Sequence, residues 1–160
     1  MAMRRALSFL CIAALLFSPA CFAQDNTEYK NMIDLMIIEI DKLTDSLRAA
    51  TPEYGTYVKW YENYSAMNEQ FRKTFTQTNK QRKSYQSVWD AMNQLASARS
   101  MLYRAQDADN QYTESITAND VSYAHKWKST ALVEKTNAAG AIAKAAEALK
   151  QAKDLLSSEN

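Results

Sequence analysis

The chain is 160 residues long, with 19 Lys and Arg against 18 Asp and Glu, one His, two Cys, two Gly and two Pro. That length suits one domain, and Gly and Pro far below their usual ~7% and ~5% leave little material for the frequent turns of a sandwich or barrel. No Gly or Pro lies between Thr56 and Ala139, which also speaks against a nucleotide-binding α/β fold with its glycine-rich loop.

Residues 1–23 read as an export leader. Arg4 and Arg5 give the positive end, and Ala6 to Phe17 is apolar but too short to span a hydrocarbon core of about 30 Å. Cys21 and Ala23 put small side chains three and one positions before Gln24, so cleavage is expected there, with residues 24–160 as a single domain. The competing reading is a membrane-anchored lipoprotein through Cys21, although Ser18-Pro19-Ala20 is a poor lipoprotein box. Cleavage before Gln24 removes Cys11 and Cys21, and with them any disulfide, thiolate nucleophile or thiolate ligand. It also removes Arg4 and Arg5, turning the formal charge of +1 slightly negative, so no overall field favours nucleic acid. The expected location is the periplasm, or secreted and at the cell surface, with no membrane span in the mature chain.

The first helix is expected from Asp25, where Asp25-Asn26-Thr27-Glu28 has capping-box spacing. Tyr29, Ile33, Met36, Ile40, Leu43, Leu47 and Ala50 then recur at alternating intervals of four and three, the pattern of a helix packed on helices. Met32, Leu35, Ile37 and Ile38 widen the stripe, so this helix reads as buried on more than one face, a central member of a bundle. Thr51-Pro52-Glu53 is expected to start the second helix, Thr51 as cap and Pro52 in the first position. Tyr54, Tyr57, Tyr61, Tyr64, Asn68, Phe71 and Phe75 form its seam, with Gly55 a weak point.

The same register continues through Thr78, Arg82, Tyr85, Trp89 and Met92, so residues 53–113 read either as two helices or as one long one. The polar run and the Thr78-x-x-Gln81 spacing favour a turn near Thr76–Asn79. Val88, Met92, Leu95, Leu102 and Ala105 carry the third helix, which Asp107, Asp109 and Asn110 weaken. Thr117-x-x-Asp120 is expected to cap the last helix, whose seam runs Val121, Ala124, Ala131, Ala138, Ile142, Ala145, Leu149, Ala152 and Leu156. Gly140 in this alanine-rich stretch suggests a close helix crossing, with a kink or hinge as the alternative. The fold class is therefore all-α: an elongated antiparallel bundle of four helices, or three with one long central helix.

The residue inventory argues against most chemistries. Helical bundles that bind two metals use Glu-x-x-His pairs, but the only histidine is His125 and no Glu precedes it by three. Asp107-Ala108-Asp109-Asn110 lacks the glycine and terminal glutamate of a calcium loop. Haem between Met32 or Met36 and His125 would need residues that an up-down bundle separates by about 35–45 Å, at about 1.5 Å rise per residue. One histidine without a glycine-rich oxyanion or phosphate loop gives a catalytic set little to build on. Carboxylates at helical spacing, Asp34/Asp41 and Asp41/Asp45, read as a solvated face. No cofactor, no metal and no enzymatic activity are expected.

Two features suit binding. Arg72, Lys73, Lys80, Arg82 and Lys83 crowd a stretch, residues 70–89, that contains no acid, which suits an anionic surface near residues 72–83. Trp60 departs from the aromatic seam beside Lys59, and an exposed Trp is a common interaction anchor. The reading is an exported, non-enzymatic interaction protein that acts through helix faces, as an envelope adaptor, chaperone-like binder or subunit of a surface assembly. Its partner is another protein or a second copy. The alternative is a bundle that carries an apolar small ligand or haem.

Overall fold

The computed structural model describes the backbone of residues 19–49, 51, 53–79 and 81–159, and the side chains of these except 19–25, 49, 77 and 78. The leader through Ser18, together with Ala50, Pro52 and Lys80, lies outside the described residues, as do the side chains of Cys21, Asp25 and Thr78.

Four helices follow one another: α1 Pro19–Ala49, α2 Tyr54–Asn79, α3 Lys83–Thr117 and α4 Val121–Ser158. No strand occurs among the described residues. They form an all-α antiparallel bundle in which α1 packs on α4 and α2, and α3 packs on α2 and α4. The break between α2 and α3 confirms two helices rather than one long one. The first of these ends at Asn79 and the next begins at Lys83, slightly later than the polar run suggests, with Arg82 in the cap position and no side-chain cap bond.

Other boundaries also move. α1 is already helical before Asp25, so the Asp25–Glu28 spacing does not begin it. α2 starts at Tyr54, because the Glu53 carbonyl accepts the first helical bond from Tyr57 N at 3.0 Å; Thr51 is exposed and not its cap. α3 runs past Asp107, Asp109 and Asn110 to Thr117 without a break. It closes in a Schellman-type end, with Asp120 N bonded to Ser115 O at 2.8 Å and Asn119 N to Ile116 O at 3.0 Å. Asn119 holds the left-handed conformation at φ 58°, which asparagine tolerates better than most residues. Asp120, not Thr117, caps α4, its carboxylate accepting from Tyr123 N at 3.1 Å.

The periodic residues do form the core. Tyr29, Ile33, Met36, Ile40 and Leu43 of α1 are buried, as are Tyr57, Tyr64, Phe71 and Phe75 of α2. Val88, Leu95 and Leu102 of α3 meet Ile142, Leu149 and Leu156 of α4 in the same cluster. α1 is not wrapped on all sides, however: Leu35 and Ile38 are exposed, because α1 occupies a corner of the bundle. Gly140 is exposed, and a Cβ there would meet nothing within 4 Å, so it does not mark a close crossing.

At the base, where α4 ends beside the start of α3, Glu159 fastens the two. Its carboxylate accepts from Ser84 N at 3.1 Å and Ser84 Oγ at 2.5 Å. The Tyr29 hydroxyl lies 3.1 Å from the same Ser84 Oγ, which ties α1 into the joint.

Candidate functional site

The four helices differ in reach. The ring of Tyr54, at the start of α2, lies 5.5 Å from that of Tyr103, so the α1–α2 connection stands level with the middle of α3. Beyond Tyr103, α3 continues to Thr117 and α4 returns from Val121. At about 1.5 Å per residue this two-helix hairpin projects some 20 Å past the four-helix half. Its own interior is small: Ala105 and Ala108 from α3, Ala124 and Ala131 from α4. Ion pairs cross it, Arg104 with Glu134 at 2.9 Å and Lys135 with Asp109 at 2.7 Å.

Positions seven apart on packed helices stay in one column. On α3 the column Val88, Leu95, Leu102 is buried in the four-helix half and continues through Asp109 to Ile116. On α4 the buried column Leu149, Ile142 continues through Lys135 and Lys128 to Val121. The neighbouring column Lys153, Ala146, Ala139 continues to Leu132 and His125. Below, α1 and α2 cover the first two columns, while the third runs at the α1 edge, with Lys153 half-exposed and paired with Asp34. Above the α1–α2 connection nothing in the described chain covers them, and Leu132, Val121 and Ile116 are 66%, 57% and 52% exposed. An open groove there is lined by Asp109, His125, Lys128, Ala131, Leu132 and Lys135. Tyr123 and Trp127 lie toward the other face of the hairpin, beside Gln111 and Ser115.

The described side chains of the basic stretch are engaged in different ways. Arg72 and Lys73, on α2, each approach Glu69 at 3.5 Å, just outside the acid-free stretch, and the Arg72 guanidinium lies 4.8 Å over the Trp89 ring. Arg82 is turned into the base, its Nη2 donating to Asn26 Oδ1 at 2.8 Å and its guanidinium 5.4 Å over the Tyr29 ring. Lys83 is exposed and lines a shallow groove with Glu159. Trp60 is half-buried against the core, stacked on Tyr64 at 5.2 Å. Met32 and Met36 lie in the four-helix half and His125 on the projection, so the fold does not bring them together. Among the described residues no three His, Cys, Asp or Glu side chains gather in a group able to hold a metal. No described helix is long and apolar enough to cross a membrane.

The core holds three hydroxyls of altered acidity. Burial pushes the Tyr29 phenol up to about 12, opposed by its bond to Ser84 and by the Arg82 charge. Burial pushes Tyr57 and Tyr64 higher still. These phenols are protonated at neutral pH and serve packing rather than proton transfer.

Val121 was within reach of sequence reading as the start of the α4 seam, and Ile116 continues the column of Val88, Leu95 and Leu102, whereas Leu132 lies off the α4 seam. What sequence could not supply was the height at which α1 and α2 stop. Compared with known protein families, characterised proteins and solved structures, the chain matches none.

Proposed function

We propose that this chain is an exported, non-enzymatic interaction protein that works through the face of its projecting hairpin. Export rests on the leader pattern of residues 1–23. The reading of interaction rests on one observation: above the α1–α2 connection the hairpin leaves Ile116, Val121 and Leu132 exposed on a surface no part of the described chain covers. Isolated exposed apolar side chains are ordinary, but three large ones on one short hairpin suit a contact surface. The lack of a nucleophile–base set argues for binding over catalysis.

Two measurements test this. A photoreactive residue in place of Leu132 is expected to give adducts in living cells, and one in place of the exposed Lys42 is not. Equal labelling from both positions, or none from Leu132, ends the interaction reading. Intact mass of the protein purified from its native host is expected to show cleavage before Gln24; a retained leader ends the export reading.

A further inference from the structure

A second surface lies at the upper edge of the four-helix half. Where α2 begins, a groove between α2 and α3 is lined by Tyr54, Ala96, Arg99, Ser100 and Tyr103. Helical spacing puts the last four on one side of α3: Tyr103 stands seven positions after Ala96 and four after Arg99. Ala96, small and exposed, leaves room beside Tyr103. Tyr103 is 59% exposed and is held edge-on to Tyr54, the ring centroids 5.5 Å apart and the planes at 67°. Edge-to-face contact is a favoured geometry for a ring pair, so this exposed tyrosine is positioned before anything binds.

The groove also holds an unmatched cation. The Arg99 guanidinium lies 5.4 Å over the Tyr61 ring and makes no ion pair among the described residues, and no carboxylate lines the groove. The other arginines of α2 and α3 nearby are matched. Arg104 is paired with Glu134 at 2.9 Å and its Nη1 donates to Ser100 Oγ at 3.2 Å. Arg72, stacked on Trp89 farther down the α2–α3 contact, meets Glu69 at 3.5 Å. Stacking occupies the face of a guanidinium and leaves its N–H edge free, in the fork geometry that grips a carboxylate with two hydrogen bonds. Holding the guanidinium on a ring also removes part of the ordering cost of binding.

We infer that this groove docks a peptide segment of another protein that presents a carboxylate beside an aromatic side chain, the carboxylate on Arg99 and the ring against Tyr103 and Tyr54. Tyrosine and arginine without Lys, Asp or Glu is the make-up of interface anchors rather than of ordinary surface. A bare inorganic anion would use Arg99 and leave both rings idle. The groove lies outside the hairpin and adds a second contact surface to it.

The probes are three capped peptides of equal length in a Gly-Ser background, carrying Glu-Phe, Gln-Phe or Glu-Ala at the centre, titrated against the full chain. Glu-Phe is expected to bind about tenfold tighter than either of the others at low salt, its margin over Gln-Phe shrinking as salt rises. It is also expected to shift the Arg99 Nε–H resonance. Arg99→Gln is expected to remove the preference for Glu over Gln, and Tyr103→Ala the preference for Phe over Ala, with helicity unchanged because both side chains are exposed. No binding of Glu-Phe, equal binding of Glu-Phe and Gln-Phe, or a preference that survives Arg99→Gln overturns the inference. So does a uronic-acid oligosaccharide that binds at Arg99 more tightly than Glu-Phe, because the partner is then a glycan. Sedimentation showing a dimer that Tyr103→Ala dissolves also overturns it, because the occupant is then a second copy. Adducts from position 132 in cells decide the hairpin reading separately.

Discussion

The two halves of the molecule solve the packing problem differently. In the four-helix half large aromatic rings from different helices meet: Tyr29 lies 5.2 Å from Phe71 and 5.0 Å from Phe75, and Phe71 stacks on Tyr85 at 5.6 Å. In the projecting hairpin the interior is alanine, and the larger apolar side chains Ile116, Val121 and Leu132 are outside it. Aromatic side chains contribute the largest burial per residue, whereas two helices joined through alanine approach closely but remove little apolar area from water. The four-helix half therefore carries the stability, and the hairpin, held by continuity of α3 and α4, keeps its apolar groups available. Surfaces that bind are commonly drawn from the less stable part of a fold.

The widest gap between the halves is expected from core substitutions. Phe71→Ala is expected to cost about 3–5 kcal/mol, and Ile40→Asp, which buries an unpaired carboxylate, to abolish the folded state. Leu132→Ser is expected to stay within about 0.5 kcal/mol. Denaturant midpoints measure all three; a Leu132→Ser loss as large as that of Phe71→Ala would erase the distinction.

Alkaline pH should attack the four-helix half. A phenol whose folded pKa is raised above 10.0 keeps its proton after the unfolded chain has lost it. Its contribution is complete below pH 10 and is lost as pH rises toward the folded value, at about 1.4 kcal/mol per pH unit for each such tyrosine. Tyr29→Phe is expected to flatten that slope between pH 10 and about 12, where the Tyr29 phenol titrates in the fold. Chemical-denaturation curves collected across that range give the slope directly, and a stability that does not fall above pH 10 contradicts the burial of these hydroxyls.

Two neighbouring tyrosines should move in opposite directions. The Tyr57 hydroxyl donates to Leu95 O at 2.8 Å across the α2–α3 contact, and Tyr57→Phe is expected to cost about 1 kcal/mol. The Tyr64 hydroxyl is buried without a partner, so Tyr64→Phe removes an unsatisfied group and is expected to stabilise by about 1 kcal/mol. Equal costs at both sites would show that Tyr64 has a partner after all.

Periodicity alone located the core residues with few errors, because burial in a bundle follows the 3–4 spacing wherever neighbouring helices exist on all sides. It failed where that condition failed. The stripe of α1 is wider than the face the bundle covers, leaving Leu35 and Ile38 outside, and the seam of α4 outruns its neighbours, leaving Val121 outside. Both errors are about which helices stand beside which, information that one helix's pattern does not contain. Local signals misled in a second way. Asp25–Glu28 and Thr51–Pro52 have capping chemistry, but a helix already under way before Asp25 and a free Glu53 carbonyl decided the boundaries. In the basic stretch the sequence did not show the partners: Glu69, one residue outside it, meets Arg72 and Lys73, and Arg82 turns onto Asn26 and Tyr29.

Gly140 stands on α4 close to where the two halves join, and the smallest predicted effect belongs there. Glycine in a helix interior costs roughly 1 kcal/mol against alanine, from its larger freedom when unfolded. Close packing would offset the gain from alanine, but a Cβ at Gly140 meets nothing within 4 Å. The backbone there shows no positive φ that a side chain would strain, and α4 runs through it as one helix. Gly140→Ala is therefore expected to stabilise by up to about 1 kcal/mol. Hydrogen exchange of the α4 amides sharpens the result: slowing on both sides of residue 140 shows that the halves open together, and slowing on the hairpin side alone shows that they open separately. A destabilised Gly140→Ala chain would mean that α4 bends at this point in solution.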